Sequence, residues 1–123
     1  MNLGRLSSAA LMLSGVAAVV NPQGVADALH LTADDMRGIT ETRAGLGGTF
    51  AALGGWALVS RDPAADAAVG MTWLGAAAVR VATRQIDKPP ETASYWAYLG
   101  LEVACGTASL ASAITRRRGA KQA

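Results

Sequence analysis

Charged residues in this chain sit in short clusters, at Asp27–Arg43, Arg61–Asp66, Arg80–Glu91 and Arg116–Lys121, and the stretches between them are nearly charge-free. A soluble helical protein spreads charge along each helix at a period near 3.6 residues. Segregation on this scale predicts helices that lie in lipid, each needing roughly 20 mostly apolar residues to cross. The expected fold class is all-α, a transmembrane four-helix bundle, with one domain over residues 1–123 and spans at about 4–20, 38–60, 64–84 and 92–115. The third span is the weakest. Its uncharged stretch, Ala67 to Val79, has only 13 residues. It reaches full length only if Asp66 and Arg80 lie at or near the membrane boundary, where long side chains snorkel.

The breaks are marked by proline. Asn21-Pro22 ends the first run, Arg61-Asp62-Pro63 forms a tight turn, and Asp87-Lys88-Pro89-Pro90 separates the last two helices. In the first connector Val25, Leu29 and Met36 suit an interfacial turn, and Thr32-x-x-Asp35 resembles a capping box with Asp in place of Glu. Small residues recur every four positions at Ala44, Gly48 and Ala52, a spacing that lets helix backbones approach closely in lipid. Trp56, Tyr95, Trp96 and Tyr98 stand where an interfacial aromatic belt is expected. The first run has a second reading: Arg5, Leu6–Val20 and Ala26-Asp27-Ala28 also fit a cleavable signal peptide, whose removal would leave three spans.

Composition tempers this picture. Hydrophobic residues make up 51% but aromatics only 5%. Ala and Gly supply much of the rest, so mean hydropathy is only +0.26. Net charge is +2, and Arg116, Arg117, Arg118 and Lys121 carry most of the basic bias. A basic tail after an apolar run follows the positive-inside rule, so both termini are expected on the cytoplasmic side and no nucleic-acid partner is expected. The single Cys105 excludes an internal disulfide framework, and the lone His30 is expected to be a surface or interfacial residue, not a metal ligand. No phosphate-cradling loop or nucleophile elbow is present, so no metal, cofactor or catalytic activity is expected.

The candidate chemistry lies in a few polar groups. Glu102 is the only charge between Thr92 and Thr115, and an intramembrane carboxylate is costly unless paired. Glu41 and Arg43 begin helix two, and Arg80 and Arg84 lie near the end of helix three. Tyr95, Tyr98, Glu102 and Cys105 share one face of helix four at spacings of three and four. A buried polar cluster of Glu41, Arg43, Arg80, Arg84, Glu102 and Tyr98 is therefore expected, with Glu102 paired to Arg43 or Arg80. It is either structural, fixing helix register, or a pocket for a small ligand, lipid headgroup or proton.

Glu41-Thr42-Arg43-Ala44 followed by Gly47-Gly48 resembles the E-x-R-A-x-x-G-G signature of a small bacterial membrane family. That family is catalogued as domain of unknown function "four-three-four-five" and is DoxX-like in architecture. Asn21-Pro22, Arg80, Asp87, Pro89 and Glu102 fit the same resemblance, which extends over about Leu6 to Ala113. Leu46 stands where the family often has tyrosine, and Lys88 where it often has glycine. The resemblance implies four spans in a bacterial cytoplasmic (inner) membrane and no established activity. The expected function is a non-catalytic interaction or assembly subunit, with the lipid bilayer and a larger membrane complex or homo-oligomer as partners. The alternatives are a membrane-embedded binder of a small molecule, lipid or quinone and, after N-terminal cleavage, a secreted soluble helical protein.

Overall fold

Helices that follow a break in the chain begin where a side chain can satisfy their orphan N–H groups, whereas the one that continues from Gly48 has no side-chain cap. Asn21 accepts from the Gly24 amide at 3.1 Å, Asp35 from Gly38 at 2.6 Å, Asp62 from Ala64 at 2.8 Å, and Thr92 from Tyr95 at 3.3 Å. A computed structural model describes residues 2–122 and is all-α, with no strand among the described residues. The elements are α1 (Leu3–Val20), α2 (Pro22–Ala28), α3 (Met36–Glu41), a π-helical turn (Thr42–Gly48), α4 (Thr49–Val59), α5 (Pro63–Ile86) and α6 (Ala93–Gln122).

Three local expectations change. Pro22 does not merely stop α1; it opens α2 at a first-turn position, where its missing N–H costs nothing. Asp35 is itself the N-cap of α3, not the third residue of a box begun at Thr32. Helix α6 does not stop before Arg116 but runs on to Gln122. Among the described residues only α1 and α6 are long and apolar enough to cross a bilayer by length and composition. Asp66, Arg80 and Arg84 lower the hydropathy of α5, and the second apolar run is divided among α3, the π turn and α4.

The chain divides into two units: Ser8–Ser60, and Met1–Ser7 with Arg61–Ala123. Inside the first, α1 and α4 meet at their glycines. A Cβ on Gly15 would collide with the Phe50–Ala51 backbone, and one on Gly54 with the Ser8 carbonyl and the Met12 backbone. Such backbone-to-backbone contact is how helices gain packing energy where water supplies no hydrophobic drive. The stripe Ala44, Gly48 and Ala52 does not serve this purpose; all three are exposed, and Gly47 and Gly54 are the buried positions. The π turn is eased by Gly45, Gly47 and Gly48, and the Thr49 hydroxyl donates to the Ala44 carbonyl five residues back.

Inside the second unit α5 and α6 form an antiparallel hairpin. Its seam uses Asp66, Gly70, Trp73 and Ala77 from α5 and Glu102, Gly106, Ser109 and Ala113 from α6, all buried. The alternation of three and four residues is that of knobs-into-holes packing. Leu110 fills the notch at Gly70 and Leu74 fills the notch at Gly106. The start of α1 lies on α6: Ser109 donates from Oγ to Ser7 Oγ at 2.8 Å, and Ser7 donates to the Cys105 carbonyl at 2.9 Å.

Candidate functional site

The hairpin carries an ion pair toward each end, in which a half-buried arginine meets a buried carboxylate. On the connector side, Arg80 forks onto Glu102, with Nε to Oε2 at 3.0 Å and Nη2 to Oε1 at 2.6 Å. This bidentate arrangement is the strong, directional form of a charge pair. Glu102 is 6% exposed. The Arg80 guanidinium lies 5.6 Å from the Tyr95 ring centre and 5.8 Å from that of Tyr98, within cation–π range. The Tyr95 hydroxyl donates to the Arg80 carbonyl at 2.9 Å, tying α6 to the backbone of α5. Further toward the connector, Arg84 forks onto Glu91 at 2.5 and 3.0 Å and packs over Trp96.

On the other side Asp66, only 2% exposed, accepts from Arg116 Nη1 at 2.8 Å and from Ser112 Oγ at 2.9 Å. Arg116 also donates to the Arg61 carbonyl. The guanidinium thus holds the N-terminal turn of α5 against the late turns of α6.

Of the six residues expected in one buried cluster, Arg80, Glu102 and Tyr98 come together as described. Glu102 takes Arg80, one of its two expected partners. Glu41 and Arg43 belong to the other unit and are exposed, and Glu41 pairs with Arg37 at 3.7 Å one helical turn away. They stand on the short polar opening of their helix, where charge needs no shelter. Arg84 is also exposed, held at the end of α5 by Glu91. Asp66 and Arg116 were not expected as a pair, since charges near helix ends read singly as boundary residues.

A signal for that pair does exist in the chain. The pattern acid-x3-Gly-x3-Leu-x5-Arg occurs twice, as Asp66-Gly70-Leu74-Arg80 and as Glu102-Gly106-Leu110-Arg116. Run antiparallel, the two copies are complementary at every position: each acid meets the other's arginine and each leucine meets the other's glycine. The hairpin is therefore pseudo-two-fold, and its side chains answer one another. Each carboxylate is held by an arginine that stays protonated at any physiological pH. No group of three or more metal-ligating side chains occurs among the described residues.

No curated protein and no solved structure matches the chain. The family described as a domain of unknown function (DUF4345) matches residues 3–112, nearly the whole length, and the chain belongs to it.

Proposed function

We propose that the protein is a non-catalytic, four-span integral membrane protein that packs beside a larger membrane protein or a further copy of itself. One observation carries this reading: buried carboxylates and hydroxyls coexist with a large exposed aliphatic surface. Asp66, Glu102, Ser8 and Ser109 are buried, while Met71, Val79, Val81, Leu101, Val103 and Ile114 are exposed. In water such apolar surface is a liability, whereas lipid is its natural solvent. Hydroxyls support the same reading. Ser14, Thr72, Thr83, Thr107 and Thr115 each donate to the carbonyl four residues back in their own helix, as expected where water is scarce.

The basic tail favours cytoplasmic termini, in a bacterial cytoplasmic membrane. Assembly is favoured by faces of small residues left uncovered, Ala44, Gly48 and Ala52 in one unit and Gly100 and Ala104 in the other. Gly45, Gly75 and Gly100 have open space where a Cβ would stand. Purification from native membranes in mild detergent tests the proposal. A stoichiometric protein partner or a homo-oligomer is expected, and Gly100→Leu with Ala104→Leu is expected to abolish it without lowering the melting temperature. A monodisperse protomer with no partner contradicts the assembly role.

A second reading, a binder of a neutral small molecule such as a quinone, is favoured by Trp73. Its indole N–H is buried and has no hydrogen-bond partner among the described residues. A ligand carbonyl would satisfy a donor that is otherwise costly to bury. Co-purification of a chromophoric ligand, lost in Trp73→Phe, is the outcome this reading expects.

A further inference from the structure

The two ends of the hairpin unit differ sharply in charge. Toward the connector, Arg80, Arg84 and Lys88 stand against Asp87, Glu91 and Glu102, three of each sign, and two of the arginines are locked in bidentate pairs. At the opposite end the fold collects Arg5, Arg61, Arg116, Arg117, Arg118 and Lys121 against Asp62 and Asp66. The collection is structural as well as sequential. Gly4 of α1 lies directly on Ser112, Arg116 donates to the Arg61 carbonyl, and α6 carries the last basic residues upward from there.

Arg116 and Asp66 neutralise each other, which leaves the excess on the exposed groups. Arg117, Arg118 and Lys121 occupy one turn of helix and are all exposed. Like charges three and four residues apart repel, and anions relieve that repulsion. At 30 residues α6 is about 45 Å long, so it outruns a hydrocarbon core of about 30 Å and lifts these groups to headgroup level. Below them Leu3, Leu6 and Ile114 are exposed and apolar. The surface is amphipathic in the order of a phospholipid: cationic groups above, hydrocarbon beneath. The basic tail lies beyond residues 3–112, the part of the chain that matches the family.

We propose that this end of the hairpin is a binding surface for anionic phospholipid, with Arg61, Arg117, Arg118 and Lys121 taking the headgroup phosphate and Leu3, Leu6 and Ile114 contacting the acyl chains. The proposal rests on the membrane reading above and adds a ligand to it. Each Lys or Arg of a juxtamembrane basic cluster adds attraction to an anionic surface, and the effect falls off within a Debye length.

The test uses the full chain in neutral detergent, with phosphatidylglycerol, phosphatidylcholine or inorganic phosphate added, and reads the melting temperature. Phosphatidylglycerol is expected to raise it by about 5 °C when present at ten times its dissociation constant. Phosphatidylcholine and free phosphate are expected to give less than a third of that shift. The triple variant Arg117→Gln, Arg118→Gln, Lys121→Gln keeps the Asp66–Arg116 pair and removes the repulsion, so its melting temperature without lipid should equal or exceed the parent's, and the phosphatidylglycerol shift should be lost. Equal shifts from both lipids, an equal shift from phosphate, or an undiminished shift in the variant overturns the proposal. Alkaline extraction of native membranes separates this from failure of the membrane reading. A protein that stays in the membrane yet shows no lipid preference sinks only the headgroup surface; one released into solution sinks both.

Discussion

At the scale of single residues, the carboxylate of Glu102 has the most at stake. Removing the carboxylate leaves the half-buried Arg80 guanidinium without its charge-assisted hydrogen bonds, at a cost of about 2 kcal/mol. Glu102→Gln is therefore expected to lower the melting temperature in detergent markedly, and the exchanged pair Arg80→Glu with Glu102→Arg to recover part of the loss. Failure of the double variant to improve on either single change would mean that the Tyr95 and Tyr98 rings, not the charge pair, hold Arg80. Lys88 presents the opposite case. It sits at φ 47° between α5 and α6, a left-handed conformation that disfavours a side chain with Cβ. Lys88→Gly is expected to stabilise the protein by about 1 kcal/mol, since glycine adopts this φ without strain. A lower melting temperature would show that the lysine side chain compensates elsewhere.

At the scale of elements, the close approach of α5 and α6 makes glycine position decisive. Glycine in a helix interior costs about 1 kcal/mol relative to alanine, so an open site should gain from Gly→Ala. Gly100 is such a site, while a Cβ on Gly106 would lie 2.5 Å from Leu74 Cγ. Gly100→Ala should leave stability equal or higher and Gly106→Ala should lower it, as read by thermal unfolding of the two variants side by side. The long helices were legible in the sequence because charge clusters and prolines bracket them. Arg80 as a partner of Glu102 was legible because few charges lie in apolar company. The π turn was not, since three glycines in seven residues suit close packing as well as a widened turn. Asp66 with Arg116 escaped notice because each lies near a helix end, where a solitary charge can reach water. Only the repeated acid-Gly-Leu-Arg pattern, read antiparallel, joins them. Glu41 and Arg43 border an apolar run, yet Glu41 ends the short polar helix α3 and Arg43 lies exposed in the π-helical turn.

At the scale of the whole molecule, the account rests on which solvent meets the exposed apolar side chains. Leu11, Val69, Trp73 and Tyr95 are buried, yet Leu13, Val59, Met71, Val79 and Ile114 face outward. Membership of a family without assigned function leaves the role to be found by biochemistry, and the partner and lipid experiments address it. Cysteine labelling in intact native membranes addresses the solvent itself. Met71 and Leu101 are exposed on α5 and α6, and Glu91 is exposed in the connector. Each is changed singly to cysteine in a Cys105→Ser background and treated with a membrane-impermeant maleimide. The predicted result is rapid labelling at position 91 from one side of the membrane and none at positions 71 and 101 until detergent is added. Labelling at 71 and 101 as fast as at 91, with the membrane intact, would contradict the account.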